Sequence, residues 1–296
     1  MKRSLGEKVF TVFNTVIMVL ICVVSVYPYL NQLALSFNDG MDAIRGGITI
    51  FPREFTLENY KQLFSNRDFL SAAKISVLRV VLATFLGLMV TYACAYGLTR
   101  KGLPYRKQLT LFLMFPGYIS AGAIPAYINM RYLGLINNFW VYVLPGLFGF
   151  YNMVIIRSFL QELPPEMEES AKIDGANDFI IMFKIIFPMS LPVVACVCLW
   201  LSVGAWNDWT TTLTYITDHE LHTLQYLMMR LVKEAELANS MSMQQTMNKG
   251  QEVKAKVTGD TVKAATLIVT TAPILCVYPF LQKYFIKGIN IGAVKG

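Results

Sequence analysis

Six stretches of this 296-residue chain carry no Asp, Glu, Lys or Arg: 9–38, 80–99, 108–130, 132–156, 185–207 and 264–282. About 20 apolar residues are enough for a helix to cross a bilayer. In lipid the backbone must satisfy its own hydrogen bonds, which leaves helices or closed barrels. Runs of this length and composition predict an all-α membrane protein with six transmembrane helices. Hydrophobic residues make up 55% of the chain and charged residues 15%. An ordinary water-soluble domain carries about 25% charged residues. The net charge of +7 does not point to nucleic acid, because the cations sit in short segments between apolar runs, where membrane topology uses them.

Lysine and arginine in short loops set orientation. The N-terminus carries Lys2, Arg3 and Lys8; the loop after the second run carries Arg100, Lys101, Arg106 and Lys107; the tail carries Lys283, Lys287 and Lys295. Both termini are therefore expected to be cytoplasmic, with 157–184 inside and 39–70 and 208–262 outside. The first apolar run is too long for a signal peptide and lacks an A-x-A site, so it reads as an uncleaved span.

Other features give less. Cys22, Cys94, Cys196, Cys198 and Cys276 all fall inside apolar runs and read as buried, inert thiols. His219 and His222 lack zinc-type partners at useful spacing and read as a loop pair. Lys74 and Arg79, near the outer end of the second run, are expected to snorkel to headgroups. Leu221, Leu224, Leu227, Met228 and Leu231 recur at helical spacing, which predicts an external amphipathic helix. The polar segment 239–261 after it reads as an external loop.

The most informative stretch is LPPEMEESAKIDGANDFIIMFKIIFPMSLP, Leu163 to Pro192. Pro164 and Pro165 suit the start of a helix. Glu166, Glu168 and Glu169 follow where the helix dipole favours negative charge. Gly175 can end that helix in a left-handed conformation, and Asn177 or Asp178 can cap a second one. Phe179, Ile180, Phe183, Ile186 and Phe187 give the second arm an apolar side, expected to anchor it to the bundle. The whole reads as a helix–turn–helix at the inner surface with an acidic first arm.

This pattern resembles the EAA loop of ABC-importer permeases: Glu-Ala-Ala, three residues, Gly, nine residues, Ile, one residue, Leu-Pro. Here Glu169-Ser170-Ala171 is followed by three residues, Gly175, nine residues, Ile185, one residue and Phe187-Pro188. Ser170 and Phe187 depart from the pattern; the spacing does not. Ile173-Asp174-Gly175-Ala176 is similar to the carbohydrate-uptake branch, whose type member is the smaller maltose permease subunit. Phe55-Thr56-Leu57-Glu58-Asn59-Tyr60, Leu133-Gly134-Leu135-Ile136-Asn137-Asn138, Arg157-Ser158-Phe159 and Trp206-Asn207-Asp208-Trp209 agree with that branch. The tail from Gln282 to Gly288, ending Val294-Lys295-Gly296, resembles a subgroup linked to oligosaccharides of plant or acidic polysaccharides.

The resemblance implies a type I ABC importer permease fold in a multi-pass protein of the cell membrane. It implies as partners a second permease, two ATPase subunits, an extracytoplasmic solute-binding protein and a carbohydrate. The chain has no G-x-x-x-x-G-K-[ST] loop, so no cofactor is expected on it, and ATP with Mg belongs to the ATPases. Glu169, Ser170, Ala171, Asp174, Gly175, Ala176, Ile185 and Pro188 would form the coupling element, with Glu169 contacting a basic ATPase residue. Trp206, Asn207 and Trp209, with Tyr151 and Asn152, would line the sugar path.

Two other readings compete. A secondary transporter or channel would want acids inside its spans. A membrane-embedded enzyme would want a nucleophile–base pair or metal ligands there. The six runs hold none of these.

Overall fold

The computed structural model describes residues 5–100, 102–119, 121–245 and 258–293. The N-terminal Lys2 and Arg3, Lys101, residues 246–257 of the polar segment and the terminal Val294-Lys295-Gly296 lie outside the described residues. Among the described residues the secondary structure is helical, with a single isolated β-bridge between Asn38 and Phe55.

The chain opens with α1 (Leu5–Ser36), the short α2 (Gly40–Ile44), α3 (Glu58–Ser65) and the long α4 (Arg67–Thr99). Next come α5 (Arg106–Tyr118) and α6 (Ala123–Tyr132), two 3₁₀ turns at Phe139–Tyr142 and Leu144–Gly146, and α7 (Phe150–Gln161). Then follow α8 (Glu166–Ile173), α9 (Asp178–Ile180), a π-helical stretch Ile181–Ile186, α10 (Phe187–Met189) and α11 (Leu191–Asn207). The chain finishes with α12 (Thr210–Tyr215), a 3₁₀ turn at His219–Leu221, α13 (Leu224–Gln245) and α14 (Gly259–Ala293).

Three helices are long and apolar enough by themselves to cross a membrane: Gly6–Ser36, Arg67–Thr99 and Gly259–Val277. Three bent pairs also qualify: α5 with α6, Phe139–Gly146 with α7 at 47°, and Asp178–Met189 with α11 at 84°. Each of the six apolar runs thus falls on one unbroken helix or one bent pair. The breaks fall at or beside Gly and Pro, where helices kink: Gly122 with φ +92°, Gly149 before α7, and Pro188 and Pro192 around the third bend. The polar segment is not all loop: 239–245 continue α13, and α14 has begun by Gly259. The amphipathic helix is present, with Leu224, Leu227 and Met228 buried. Cys22 and Cys276 are exposed and the other three thiols half-buried, so full burial of the cysteines was an overstatement: apolar runs that cross lipid need not turn every side chain into protein.

The chain divides into two compact units. The first comprises residues up to Phe69 together with Met228–Ala272. In it, the end of α1 is tied down by fully buried amides. Asn38 Oδ1 accepts from the backbone N–H of Arg53 and Glu54 (2.8 and 3.0 Å), while its Nδ2 donates to Asp42 Oδ2 (2.9 Å), which also binds Arg53 Nε (2.9 Å). Asn59 Nδ2 donates to the carbonyls of Ser36 and Asn38 (both 2.9 Å), and the hydroxyls of Tyr60 and Ser36 meet at 2.8 Å. The Asn59-Tyr60 pair in the family-like FTLENY stretch therefore acts as a staple, satisfying carbonyls that the end of a helix leaves open.

The second unit comprises Leu70–Leu227 with Pro273–Gly296. Its main apolar core joins Leu88, Tyr92, Ala95, Tyr96 and Leu98 of α4, Met153, Ile156 and Leu160 of α7, Ala171 of α8, Ile181, Met182 and Ile186, and Val193, Val194 and Val197 of α11. A smaller cluster gathers Leu135, Val141, Tyr142, Val143 and Ile216. The family-like LGLINN stretch makes the turn feeding that cluster. Gly134 and Asn137 have φ of +67° and +56°, in the region that Gly and Asn tolerate best. Asn137 Oδ1 accepts from the N–H of Thr217 and Asp218 (3.0 and 2.8 Å).

Candidate functional site: a structured arm and a buried charge cluster

The acidic segment folds as a two-armed element. Pro165 precedes α8, whose first turn holds Glu166, Glu168 and Glu169. At the other end Gly175 adopts φ +82°. The N–H of Gly175 donates to the Lys172 carbonyl (3.1 Å) and that of Ala176 to the Ala171 carbonyl (3.0 Å). This crossed pair is a Schellman cap, and it gives the Ala171, Gly175 and Ala176 positions of the motif a local reason. Asp174 is the last residue before the turn, with its N–H bonded to the Ser170 carbonyl (3.0 Å). Ser170 Oγ folds back on the Met167 carbonyl (3.2 Å). The second arm starts at Asn177, whose Oδ1 accepts from the Ile180 N–H (2.9 Å).

The faces of α8 separate cleanly. Ala171 is buried in the core of its unit. Glu169, two residues earlier and so about 200° round the helix, is exposed and makes no ion pair among the described residues. Glu168 lies between these directions and is occupied. It pairs with Arg100, just beyond α4, and with Lys172 at 3.2 Å.

The second arm corrects an expectation. Ile186 is buried and Phe187 and Ile185 pack on the core, but Phe179 (73%), Ile180 and Phe183 are exposed. Ile181 and Met182 are buried in their place. The cause is the π-helical stretch Ile181–Ile186, whose wider turn shifts the register, so that spacing counted for an α-helix selects the wrong side. The arm is rooted by Ile181, Met182, Ile185 and Ile186, while Pro188 begins the bend into α11. Ile173, one turn on from Glu169, is 86% exposed, so the outer side of α8 carries a large apolar group next to that carboxylate.

The expected sugar-path residues do not gather at one place. Trp206 lines an apolar cavity of about 410 Å³ with Val80, Trp200, Ser202 and Ile274. Tyr151 and Asn152 line another, of about 660 Å³, with Tyr118, Pro116 and Phe150. Asn207 is exposed at the end of α11, and Trp209 follows it, half-buried. The sequence reading missed Trp200. Its ring stacks on Tyr151 (centroids 6.3 Å, 28°), so Trp200 belongs to the first cavity and touches a residue of the second. Its stacking partner lies on a different helix far away in sequence, which hid it.

Arg79 does not snorkel; its side chain is buried, and Lys74 is exposed. One terminal nitrogen of Arg79 pairs with Asp208 Oδ2 and the other donates to the Asp208 carbonyl (2.7 Å). Its guanidinium lies 4.6 Å from the Tyr142 ring centroid. Asp208 also accepts from the hydroxyls of Thr210 (2.7 Å) and Thr211 (2.5 Å). Burial alone would raise the Asp208 pKa, but the Thr211 and Thr210 hydrogen bonds and the Arg79 charge outweigh it and hold it at about 2. Tyr142 donates to the Leu221 carbonyl (2.8 Å), so the Thr212 hydroxyl must donate to Tyr142 (2.9 Å) and accept from Thr223 (2.9 Å). His222 is buried with its ring 4.9 Å from His219 and 4.6 Å from Tyr226. Among the described residues no group of three or more His, Cys, Asp or Glu could hold a metal.

Known proteins resemble the chain over nearly its whole length. Residues 5–291 match the family of binding-protein-dependent transport system inner membrane components. The chain is 35% identical to the protein LplC of Bacillus subtilis over all of its own length and 98% of that protein. It is 34% identical to the polygalacturonan/rhamnogalacturonan transport system permease protein YtcP of the same organism, over 94% of each. Its fold matches a chain of a bacterial ABC transporter involved in the import of the acidic polysaccharide alginate, with a TM-score of 0.86 at 22% identity, over 96% of this chain and 99% of that one.

Proposed function

We propose that this chain, which belongs to the family of binding-protein-dependent transport system inner membrane components, is a permease subunit of an ABC importer that carries an oligosaccharide into the cell. YtcP, and relatives described as galactooligosaccharide and arabinooligosaccharide transport permeases, support the substrate class. In this reading the chain is a multi-pass protein of the cell membrane with six spans, each bent pair counting as one, and with both termini cytoplasmic. Residues 157–184 form the cytoplasmic coupling loop, and 208–262 lie outside. The chain works with a second permease, two ATPase subunits and an extracytoplasmic solute-binding protein. ATP and Mg are held by the ATPases, and this chain binds no cofactor.

The observation that carries the reading is the two-armed element at 163–192. Its inner side is locked into the core through Ala171, Ile181 and Ile186, while Glu169, which makes no ion pair among the described residues, and the apolar Ile173, Phe179 and Phe183 are left exposed. Exposed large apolar side chains together with exposed charges suit a protein partner. Gly175 and the Schellman cap keep the arms at a fixed angle, so a partner that pushes the element moves it as one piece. The carrier alternative wants an acid that can take up a proton. Asp208, the carboxylate next to α11, is held ionised by its partners far below physiological pH.

Co-purification tests the reading. Wild type expressed with its ATPase and partner permease should bring the ATPase down, and Glu169→Lys should lose it or lose stimulated hydrolysis. An ATPase that never associates with the wild type would end the proposal.

A further inference from the structure

Three side chains on one face of α4 reach toward the two-armed element: Tyr92, Tyr96 and, just past the helix end, Arg100. They are spaced four residues apart and so share a face. Each grips a different part. The Tyr92 hydroxyl meets Ser190 Oγ at 2.9 Å, and its ring packs edge-on against Phe187 (5.1 Å), where the second arm turns into α11. Ser190 Oγ donates to the Phe187 carbonyl (2.9 Å), so the Tyr92 hydroxyl is the donor to Ser190. The Tyr96 hydroxyl donates to the Asp178 carbonyl (3.4 Å) at the start of the second arm. Arg100 pairs with Glu168 on the first arm, and its guanidinium lies 3.9 Å from the Tyr96 ring centroid. That ring holds the fork in place, and the Arg100 NH2 group also reaches Thr99 Oγ1 (3.3 Å).

From topology alone Arg100 would be one more cytoplasmic cation. The geometry gives it a specific partner. Glu168 is about four-fifths buried and shared between Arg100 and Lys172; of the two cations, Arg100 (23% exposed) is better shielded than Lys172 (53%). A shielded, charge-assisted pair resists pulling better than an exposed one.

We propose that the Tyr92–Tyr96–Arg100 stripe is the link through which movement of the two-armed element reaches α4, with Arg100 as the positioning residue that ties in the first arm. The inference rests on the transporter reading above. In that setting Arg100 touches neither nucleotide nor sugar. It keeps α8 and the inner end of α4 in one moving body, so that a push on the arm tilts a membrane-spanning helix.

The test uses the whole complex in proteoliposomes, with wild type, Arg100→Gln, Glu168→Gln and the charge swap Arg100→Glu/Glu168→Arg. ATPase co-purification, unstimulated hydrolysis and uptake per ATP hydrolysed are read together. Both single variants should keep the ATPase and its unstimulated hydrolysis while uptake per ATP falls at least about fivefold. The swap should recover part of the coupling: it restores the pair with its sign reversed, but sets the new arginine beside Lys172 and the new carboxylate against the Tyr96 ring. Uptake per ATP staying within about twofold of wild type in both single variants overturns the link. So does loss of assembly in the single variants that the swap fails to restore, because the pair would then serve folding alone. Glu168→Gln is nearly isosteric and keeps the proposal testable if Arg100→Gln does not fold. If wild type itself brings down no ATPase, the transporter reading fails and the link falls with it; the other contrary results count against the link alone.

Discussion

Arg79, buried, and Asp208, about three-quarters buried, 129 residues apart in sequence, form an ion pair that Tyr142 covers and two threonines complete. Removing one partner of a buried pair leaves an uncompensated charge and costs about 3–5 kcal/mol. Asp208→Asn should therefore lower the thermal midpoint of the detergent-solubilised protein more than the double change Arg79→Met/Asp208→Asn, which removes both charges. Equal losses would mean the pair is not shielded as described.

The same carboxylate gives a pH prediction. Its pKa is depressed from 3.8 to about 2 in the folded chain, so its contribution is fully present above the ordinary value and is lost as pH falls through the folded one. The amount is on the order of 2 kcal/mol. Unfolding followed between neutral pH and pH about 2 should show an acid-side loss that Asp208→Asn removes. A wild-type curve parallel to that of the variant across this range would contradict the assignment.

Gly175 holds φ +82° at the Schellman cap. A side chain there meets no neighbour within 4 Å, so the penalty is one of backbone conformation. Gly175→Ala should cost about 1–2 kcal/mol and Gly175→Asn less, because asparagine tolerates the left-handed region. Circular dichroism melts of the purified chain would rank them, and equal melts would show that the turn is not held left-handed.

How much of this could be read from residues alone depends on whether the signal was local. The turn at Gly175, the Asn177 cap and the acidic first turn of α8 are encoded within a few residues, and each appears where the spacing placed it. Three of the apolar runs likewise mark helices long enough to cross a membrane, and the other three fall on bent helix pairs. The second arm went wrong at Phe179, Ile180 and Phe183 because a π-helical stretch changes the angular step, and nothing in the composition of Ile181–Ile186 announces it. Arg79 was misread as snorkelling because its partner lies on a distant segment. Trp200 escaped for the same reason: its stacking on Tyr151 joins α11 to α7.

That stacking carries a prediction of its own. If the sugar path runs past these rings, Trp200→Ala should lower oligosaccharide uptake about tenfold, since sugar–aromatic contacts are among the few strong ones available in an apolar passage. Assembly with the ATPase should be unchanged. Uptake equal to wild type would place the path elsewhere and leave Trp200 as packing.

In the proposed role this chain moves an oligosaccharide only as part of an ATP-driven assembly. The most direct measurement is uptake of labelled oligosaccharides into proteoliposomes holding either this chain alone or the chain with its partner permease and ATPase, each with sugar-loaded binding protein outside and with or without ATP inside. Accumulation confined to the complete assembly with ATP is the predicted result. Accumulation by the chain alone, indifferent to ATP, would contradict it.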